Sequence, residues 1–75
     1  MNMRDISPDE IMDAIGCYIS DNEDLQAPSF VVDAAPEWNE DFGWWEVGAK
    51  DNLGTYLFTT YLDRDGDWGI RLNSI

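Results

Sequence analysis

Residues 55–62 read TYLFTTYL, and this stretch decides the fold class. It is rich in aromatic and β-branched residues, a composition typical of strands. Successive residues of a strand point to opposite faces of a sheet, so the stretch predicts a β-strand with two distinct faces. One face carries Tyr56, Phe58, Thr60 and Leu62.

Turn sequences on both sides connect this strand to two further predicted strands. Asp63–Asp67 contains Asp65-Gly66, which is a strong hairpin signal, and Trp68–Asn73 follows as the last strand. On the other side, Lys50–Gly54 has turn chemistry, and Gly43–Ala49 precedes it as a strand. Such short links join antiparallel neighbours, so the three strands predict a meander.

A fourth strand is predicted earlier in the chain. Ser29–Asp33 is rich in β-branched and aromatic residues, and Pro36 limits how far it can pair because proline has no N–H. Glu37–Phe42 is expected to be an acidic loop that carries Trp38. The sheet face turned away from the core would keep some of its side chains near water, among them Trp44, Thr59, Tyr61 and Arg71.

The N-terminal part of the chain predicts one amphipathic helix, from Pro8 to about Ser20. Ser7 and Glu10 form a capping box, with Pro8 at the first helical position. Apolar residues then recur at the spacing of a helical stripe: Ile11, Ala14, Ile15, Tyr18 and Ile19. Cys17 lies beside that stripe and is expected to be half-buried.

These elements predict an α+β domain in two layers. One N-terminal amphipathic helix would pack on a four-stranded antiparallel sheet, in the order α-β-β-β-β. The chain has 75 residues, which fits a single domain over residues 1–75. Its aromatic content of 13% is too high for a disordered acidic tail, so the chain is expected to fold.

Charge is the strongest functional signal in the composition. Asp and Glu number 16 against 4 Lys and Arg, which gives a formal net charge of −12. Solubility alone requires a net charge of about 2–8 in magnitude. The excess favours a basic partner, such as the nucleic-acid-binding surface of a protein, over adaptation to high salt or no specific cause. Nucleic acid itself and anionic membranes would be repelled.

Catalysis and metal binding have little support in the sequence. The chain has no His, a single Cys and no Gly-rich phosphate loop, so we expect neither an enzyme nor a cofactor. The segment 63–67 resembles the start of an EF-hand calcium loop. Counting from Asp63, however, Trp68 and Ser74 replace the required Gly and bidentate Glu. A hairpin turn with Gly66 at positive φ, and no metal, is therefore expected.

The sequence also indicates the compartment of the protein and the positions of its four tryptophans. The lone cysteine and the absence of an N-terminal basic region followed by an apolar run predict a cytoplasmic protein. Trp45 and Trp68 alternate with apolar residues and are expected in the core. Trp38 and Trp44 lie beside acids, and they either contribute to an interface, where Trp is enriched, or pack over the rim of the core.

The acids fall in clusters, which are the candidate partner-binding residues. Together with Trp38 and Trp44, the candidates are Asp21, Glu23 and Asp24; Glu37, Glu40 and Asp41; and Asp63, Asp65 and Asp67. Duplex DNA carries one charge per ~1.7 Å of its axis, so twelve net charges match roughly 20 Å of duplex. The acids are therefore numerous enough to imitate a short DNA segment.

In Asp21–Asp24, Glu37–Asp41 and Asp63–Asp67 the chain resembles the small acidic proteins that phages use against bacterial defence, above all DNA-mimicking anti-CRISPR proteins. The resemblance is one of type and extends over the whole short, Trp-containing chain. It implies a non-enzymatic inhibitor, acting in the cytoplasm of a bacterial host, that blocks DNA binding by a CRISPR-Cas effector. Acidic side chains would then pair with the Lys and Arg that hold phosphates.

Two alternatives remain open. The uracil-DNA glycosylase inhibitors are similar in size, in acidity and in their helix-plus-antiparallel-sheet layout. The other alternative is an acidic accessory domain that binds a protein partner without imitating DNA.

Overall fold

One helix and an antiparallel sheet make up the fold in the computed structural model, which describes residues 2–75. Short 3-10 helices, Met3–Asp5 and Glu23–Leu25, flank the helix. The α+β class with an N-terminal helix is confirmed. The helix α1 is Pro8–Ser20, and the strands are β1 Val31–Val32, β2 Glu37–Asn39, β3 Trp44–Lys50, β4 Thr55–Leu62 and β5 Trp68–Ser74.

Helix α1 begins and ends where the sequence predicts. The Ser7 Oγ accepts a hydrogen bond from the N–H of Glu10 (3.3 Å), and Pro8 occupies the first turn. At the other end, the Asn22 side chain donates to the Tyr18 carbonyl (2.7 Å), which satisfies an acceptor of the last turn. The expectation for Cys17 is wrong: its side chain is exposed, because the buried stripe does not extend to it.

The sheet is a meander in which each long strand pairs with the next. Val47 of β3 lies opposite Phe58 of β4, and Phe58 lies opposite Leu72 of β5. All pairings are antiparallel, as expected. Strand β3 is central, and β1 and β2 share its other side.

The expectation that Glu37–Phe42 forms a loop is wrong for its first three residues. Glu37–Asn39 is strand β2, with Trp38 opposite Trp45, while Val32 of β1 lies opposite Ala49 farther along the same strand. The strand predicted at Ser29–Asp33 is shorter than expected, since only Val31–Val32 forms β1. The two strands are one extended segment interrupted between residues 33 and 36, where Pro36 has no N–H to donate. Together they occupy the position of the predicted first strand.

The core lies between α1 and one face of the sheet. Phe58 is its largest buried side chain, and Tyr18 and Phe30 pack on it edge-to-face, with ring centroids 5.8 and 6.2 Å away. The indole N–H of Trp45 donates to the Met3 carbonyl (2.8 Å), which ties the N-terminal segment to β3. The buried apolar residues are Met3, Ile6, Ile11, Ile15, Val47, Ala49 and Phe58, with Trp45 and Trp68 packed against them as predicted.

All three hairpin loops use the same side-chain device. Asn39, Asp51 and Asp63 each stand at the start of a loop, and the Oδ1 of each accepts two backbone N–H groups of that loop. Gly43 and Gly66 close their loops at φ values of 70° and 86°, which residues with a side chain rarely adopt. The hairpin interpretation of 63–67 is thus confirmed.

Candidate interaction surface

Two of the three candidate acidic clusters lie at one end of the sheet. The β2–β3 loop and the β4–β5 loop meet there because β3 begins beside the end of β4 in an antiparallel pair. We call this region the acidic end. Its exposed acids are Glu40, Asp41, Asp63, Asp65 and Asp67.

Few positive charges offset the acidic end. Arg4 pairs with Glu40 at 3.3 Å, but both side chains are more than half exposed (62% and 69%), so the ion pair contributes little. The same N-terminal segment adds Asp5 to this region, and Arg64 is the one base within the β4–β5 loop. The acidic end therefore keeps a negative balance over an exposed surface, which would attract a basic surface.

The third cluster is separated from the other two. Asp21, Glu23 and Asp24 follow α1, and the chain then reaches Phe30, whose ring lies 5.7 Å from that of Tyr56 near the start of β4. Phe30 therefore lies at the far end of the sheet from the β4–β5 loop. Helix α1, about 20 Å long, separates the third cluster from the Arg4–Glu40 pair at the acidic end. The three clusters of the sequence thus divide into two groups.

Glu37 departs from its own cluster. It lies in β2 opposite Glu46 of β3, on the sheet face turned away from α1. Two carboxylates therefore stand side by side on this open face. The pair was missed in the sequence because Glu37 was assigned to a loop.

The two candidate tryptophans have opposite placements. Trp38 lies on the helix side, half-buried, with its ring edge-to-face against Trp45 at 5.6 Å. Trp38 therefore packs over the core, which is one of the two interpretations that the sequence allowed. Trp44 lies on the open face, where Phe42 stacks on it at 4.8 Å and 16° and is itself 66% exposed. Phe42 was not among the sequence candidates.

Hydrogen bonds fix the orientation of Trp44. Its indole N–H donates to Oε2 of Glu46 (3.1 Å), and the Asn39 side chain donates to Oε1 of the same carboxylate (3.1 Å). Glu46 also escaped the sequence analysis. Its alternation with Trp44 on one strand face was the signal that could have found it.

A second aromatic pair lies on the same open face. The Arg71 guanidinium is 5.1 Å from the centre of the Tyr61 ring, within the range of a cation–π interaction. Tyr61 lies flat over Gly69, where a Cβ would come within 2.6 Å of its hydroxyl oxygen. The sequence placed Thr59 among the residues of this face that could lie near water. It is instead buried, because the Asn73 side chain covers it and donates to its Oγ1 (3.0 Å).

The acidic side chains of the described residues do not form a metal site. In the part of the chain from residue 2 to residue 75, no three acidic or thiol side chains come together in a metal-holding group. The Asp63 carboxylate accepts the N–H groups of Asp65 (2.9 Å) and Asp67 (3.0 Å), which places it in the turn rather than in an open chelate. None of the described helices has the length and apolar composition needed to cross a membrane.

Comparisons with protein-family models, curated proteins and solved structures found no match to this chain. The surface itself is therefore the basis for a functional proposal.

Proposed function

We propose that this protein is a non-enzymatic inhibitor that occupies the basic nucleic-acid-binding surface of another protein, and that its target is a CRISPR-Cas effector. The observation that carries the proposal is the meeting of two acidic loops, 40–43 and 63–67, at one end of the sheet. The choice of target comes from the resemblance to anti-CRISPR proteins, which extends over the whole chain.

Inhibition would be stoichiometric and electrostatic. Carboxylates of the acidic end pair with Lys and Arg side chains that otherwise hold phosphates, and charge-assisted hydrogen bonds of this kind are roughly twice as strong as neutral ones. The net charge of −12 raises the rate at which a basic surface is encountered. DNA is then excluded because the two ligands need the same cationic side chains.

The test compares two triple variants that change the net charge equally. One is Asp41→Lys, Asp65→Lys and Asp67→Lys, which leaves the turn-forming Asp63 in place. The control is Asp21→Lys, Glu23→Lys and Asp24→Lys at the far end of the sheet. Circular dichroism first establishes that both fold, and fluorescence anisotropy then measures displacement of a labelled DNA duplex from purified CRISPR-Cas effectors of several types.

We expect the parent and the far-end control to displace DNA from at least one effector. The acidic-end variant should associate about tenfold more slowly, since charge mainly sets the association rate. Equal loss in both variants would show that only total charge matters. Displacement from a uracil-DNA glycosylase but from no CRISPR effector would support that alternative instead.

A second candidate function is supported by the open sheet face. The Phe42–Trp44 stack and the Tyr61–Arg71 pair expose the residue types that dominate interface energetics. They favour an accessory domain that binds its partner through apolar contacts without imitating DNA. Salt distinguishes the two functions, because charge-driven association weakens between low salt and ~0.15 M, where screening acts over about 8 Å, whereas an apolar contact does not.

A further inference from the structure

Strand β5 forms a free edge of the sheet. It pairs with β4 alone, whereas the opposite edge of the sheet is formed by the very short strands β1 and β2. Short edge strands are one of the ways in which proteins avoid unwanted pairing. Trp68–Ser74 has seven residues, all of them exposed or half-buried. The two edges therefore differ in what they offer to another chain.

The backbone groups that face this edge can be assigned from the ladder. The N–H of Ile75 donates to the Thr55 carbonyl (3.1 Å), and the N–H of Asp63 donates to the Asp67 carbonyl (2.8 Å). The pairs Thr55–Ile75 and Asp63–Asp67 continue the β4–β5 register at its two ends, and both are hydrogen-bonded pairs. Along an antiparallel ladder, hydrogen-bonded pairs alternate with pairs whose N–H and C=O groups point away from the partner strand. The groups that point away from β4 are consequently those of Trp68, Ile70, Leu72 and Ser74.

No other part of residues 2–75 satisfies the outward N–H groups. Neither the loop and cap hydrogen bonds nor the side-chain hydrogen bonds of these residues use the N–H of Ile70 or Leu72. Strand β5 also contains no Pro and no acid, and its single charged residue is Arg71. Of the devices that protect an edge, Pro and a short strand are missing from β5, although α1 packs against β5 and Arg71 is charged. The outward donors and acceptors of the edge itself remain unpaired among residues 2–75.

We propose that an extended, cationic segment of the partner protein pairs with β5 and continues the sheet. Main-chain hydrogen bonds to an exposed edge are an established way of binding extended peptides. The choice of a basic partner rests on the proposed function and on charge complementarity. A second copy would bring two net charges of −12 together, whereas a segment rich in Lys is attracted to the whole domain and meets Asp65 and Asp67 at one end of the edge.

The experiment uses the full chain and a synthetic peptide of alternating Lys and Thr. Amide hydrogen exchange by NMR should show the N–H groups of Ile70 and Leu72 slowed about tenfold or more by the peptide, as expected for newly paired edge groups. A peptide of alternating Glu and Thr serves as the charge control and should have no effect.

A pair of variants isolates the main-chain contribution. Leu72→Pro removes one outward N–H without touching the β4 ladder, and Leu72→Ala truncates the same side chain but keeps the N–H. We expect the Pro variant to bind the Lys-Thr peptide about tenfold more weakly than the Ala variant, the loss of roughly one hydrogen bond. If circular dichroism shows that Leu72→Pro does not fold, Ser74→Pro against Ser74→Ala gives the same comparison at an exposed residue.

Several outcomes would overturn the proposal. Equal binding by the folded Pro and Ala variants excludes main-chain pairing, as does protection located away from β5 or no saturable binding at all. Protection of β5 that grows with protein concentration and needs no peptide identifies a second copy as the occupant. These variants keep every acid, so a failure here leaves the acidic-end test intact, and a failure there leaves this one intact.

Discussion

The indole N–H of Trp44 donates to Oε2 of Glu46 across 3.1 Å, so two residues on one face of β3 hold each other in place. The Asn39 side chain donates to the second oxygen of Glu46 and links this pair to β2. One half-buried carboxylate therefore braces the hairpin that carries part of the acidic end and also orients an aromatic ring on the open face.

Glu46→Ala should lower the free energy of unfolding by about 1 kcal/mol, because two hydrogen bonds to a partly solvated carboxylate are lost. Glu46→Gln keeps one acceptor oxygen and should lose less. Urea unfolding followed by circular dichroism measures both. If Glu46→Ala unfolds at the same urea concentration as the parent, the brace has no energetic role.

Thr60 is buried, and a small change of its side chain should lower the stability of the fold. Its side chain is 1% exposed, and its Oγ1 accepts the backbone N–H of Trp45 (2.9 Å). Thr60→Val keeps the shape but leaves that part-buried N–H without an acceptor, so the free energy of unfolding should fall by about 1–3 kcal/mol. Thr60→Ser keeps the hydroxyl, loses only a methyl group, and should cost about 1 kcal/mol. Thermal unfolding of the two variants compares them directly, and a Val variant as stable as the parent would contradict this role.

The sequence predicted the helix, the long strands and the antiparallel order because each of these has a local signal. The capping box at Ser7 and the alternation of Thr55–Leu62 depend on neighbouring residues alone. Strand β2 has no such signal, since Glu37–Asn39 is too short to show alternation and becomes a strand only by pairing with Trp44–Glu46. Such pairing is a tertiary effect that overrides local propensity.

The same distinction explains the outcome for the candidate surface. Clusters along the chain could be read from the sequence, but which clusters share an end of the sheet depends on the topology, and only two of the three do. Trp38 and Trp44 were equivalent in sequence because both lie beside acids. Their separation onto opposite faces follows from the register of β2 with β3, which places Trp38 opposite Trp45.

Tyr56 gives a prediction about pH. Its hydroxyl lies 3.0 and 3.1 Å from the two carboxylate oxygens of Asp51, and the hydrogen bond, together with burial and the charge of Asp51, raises the pKa of Tyr56 above the ordinary value of about 10. A raised pKa in the folded state means that this contribution to stability is complete below about pH 10 and is lost as pH rises through the folded-state value.

Asp51→Asn should lower the pKa of Tyr56 toward its ordinary value while keeping an acceptor for the loop N–H groups. Ultraviolet difference absorbance across alkaline pH measures the titration, and Tyr56→Phe identifies which part of the signal belongs to this residue. An unchanged titration in Asp51→Asn would show that Asp51 does not control the Tyr56 hydroxyl.

Salt should stabilise the fold, whereas it should weaken the charge-driven binding that we propose. A net charge of −12 on 75 residues repels itself, and added salt screens that repulsion. The melting temperature of the isolated protein should therefore rise between about 0.01 M and 0.15 M NaCl, as the screening length falls from about 30 to 8 Å. Calorimetry measures this change, and the Asp21, Glu23 and Asp24 triple-Lys variant should show a smaller rise because it starts with less repulsion.

Asp63 and Gly66 stabilise the turn of the acidic β4–β5 loop. Asp63→Ala removes the acceptor of two loop N–H groups and should lower the free energy of unfolding by about 1 kcal/mol, comparable to the loss of a side-chain cap. Asp63→Asn keeps an oxygen in the same place and should be close to the parent despite the lost charge. Gly66→Ala should also cost about 1 kcal/mol or more, because an alanine at φ 86° is strained although no atom obstructs its Cβ. Urea unfolding ranks the three variants, and if Asp63→Asn were as unstable as Asp63→Ala, the negative charge rather than the turn geometry would be what residue 63 provides.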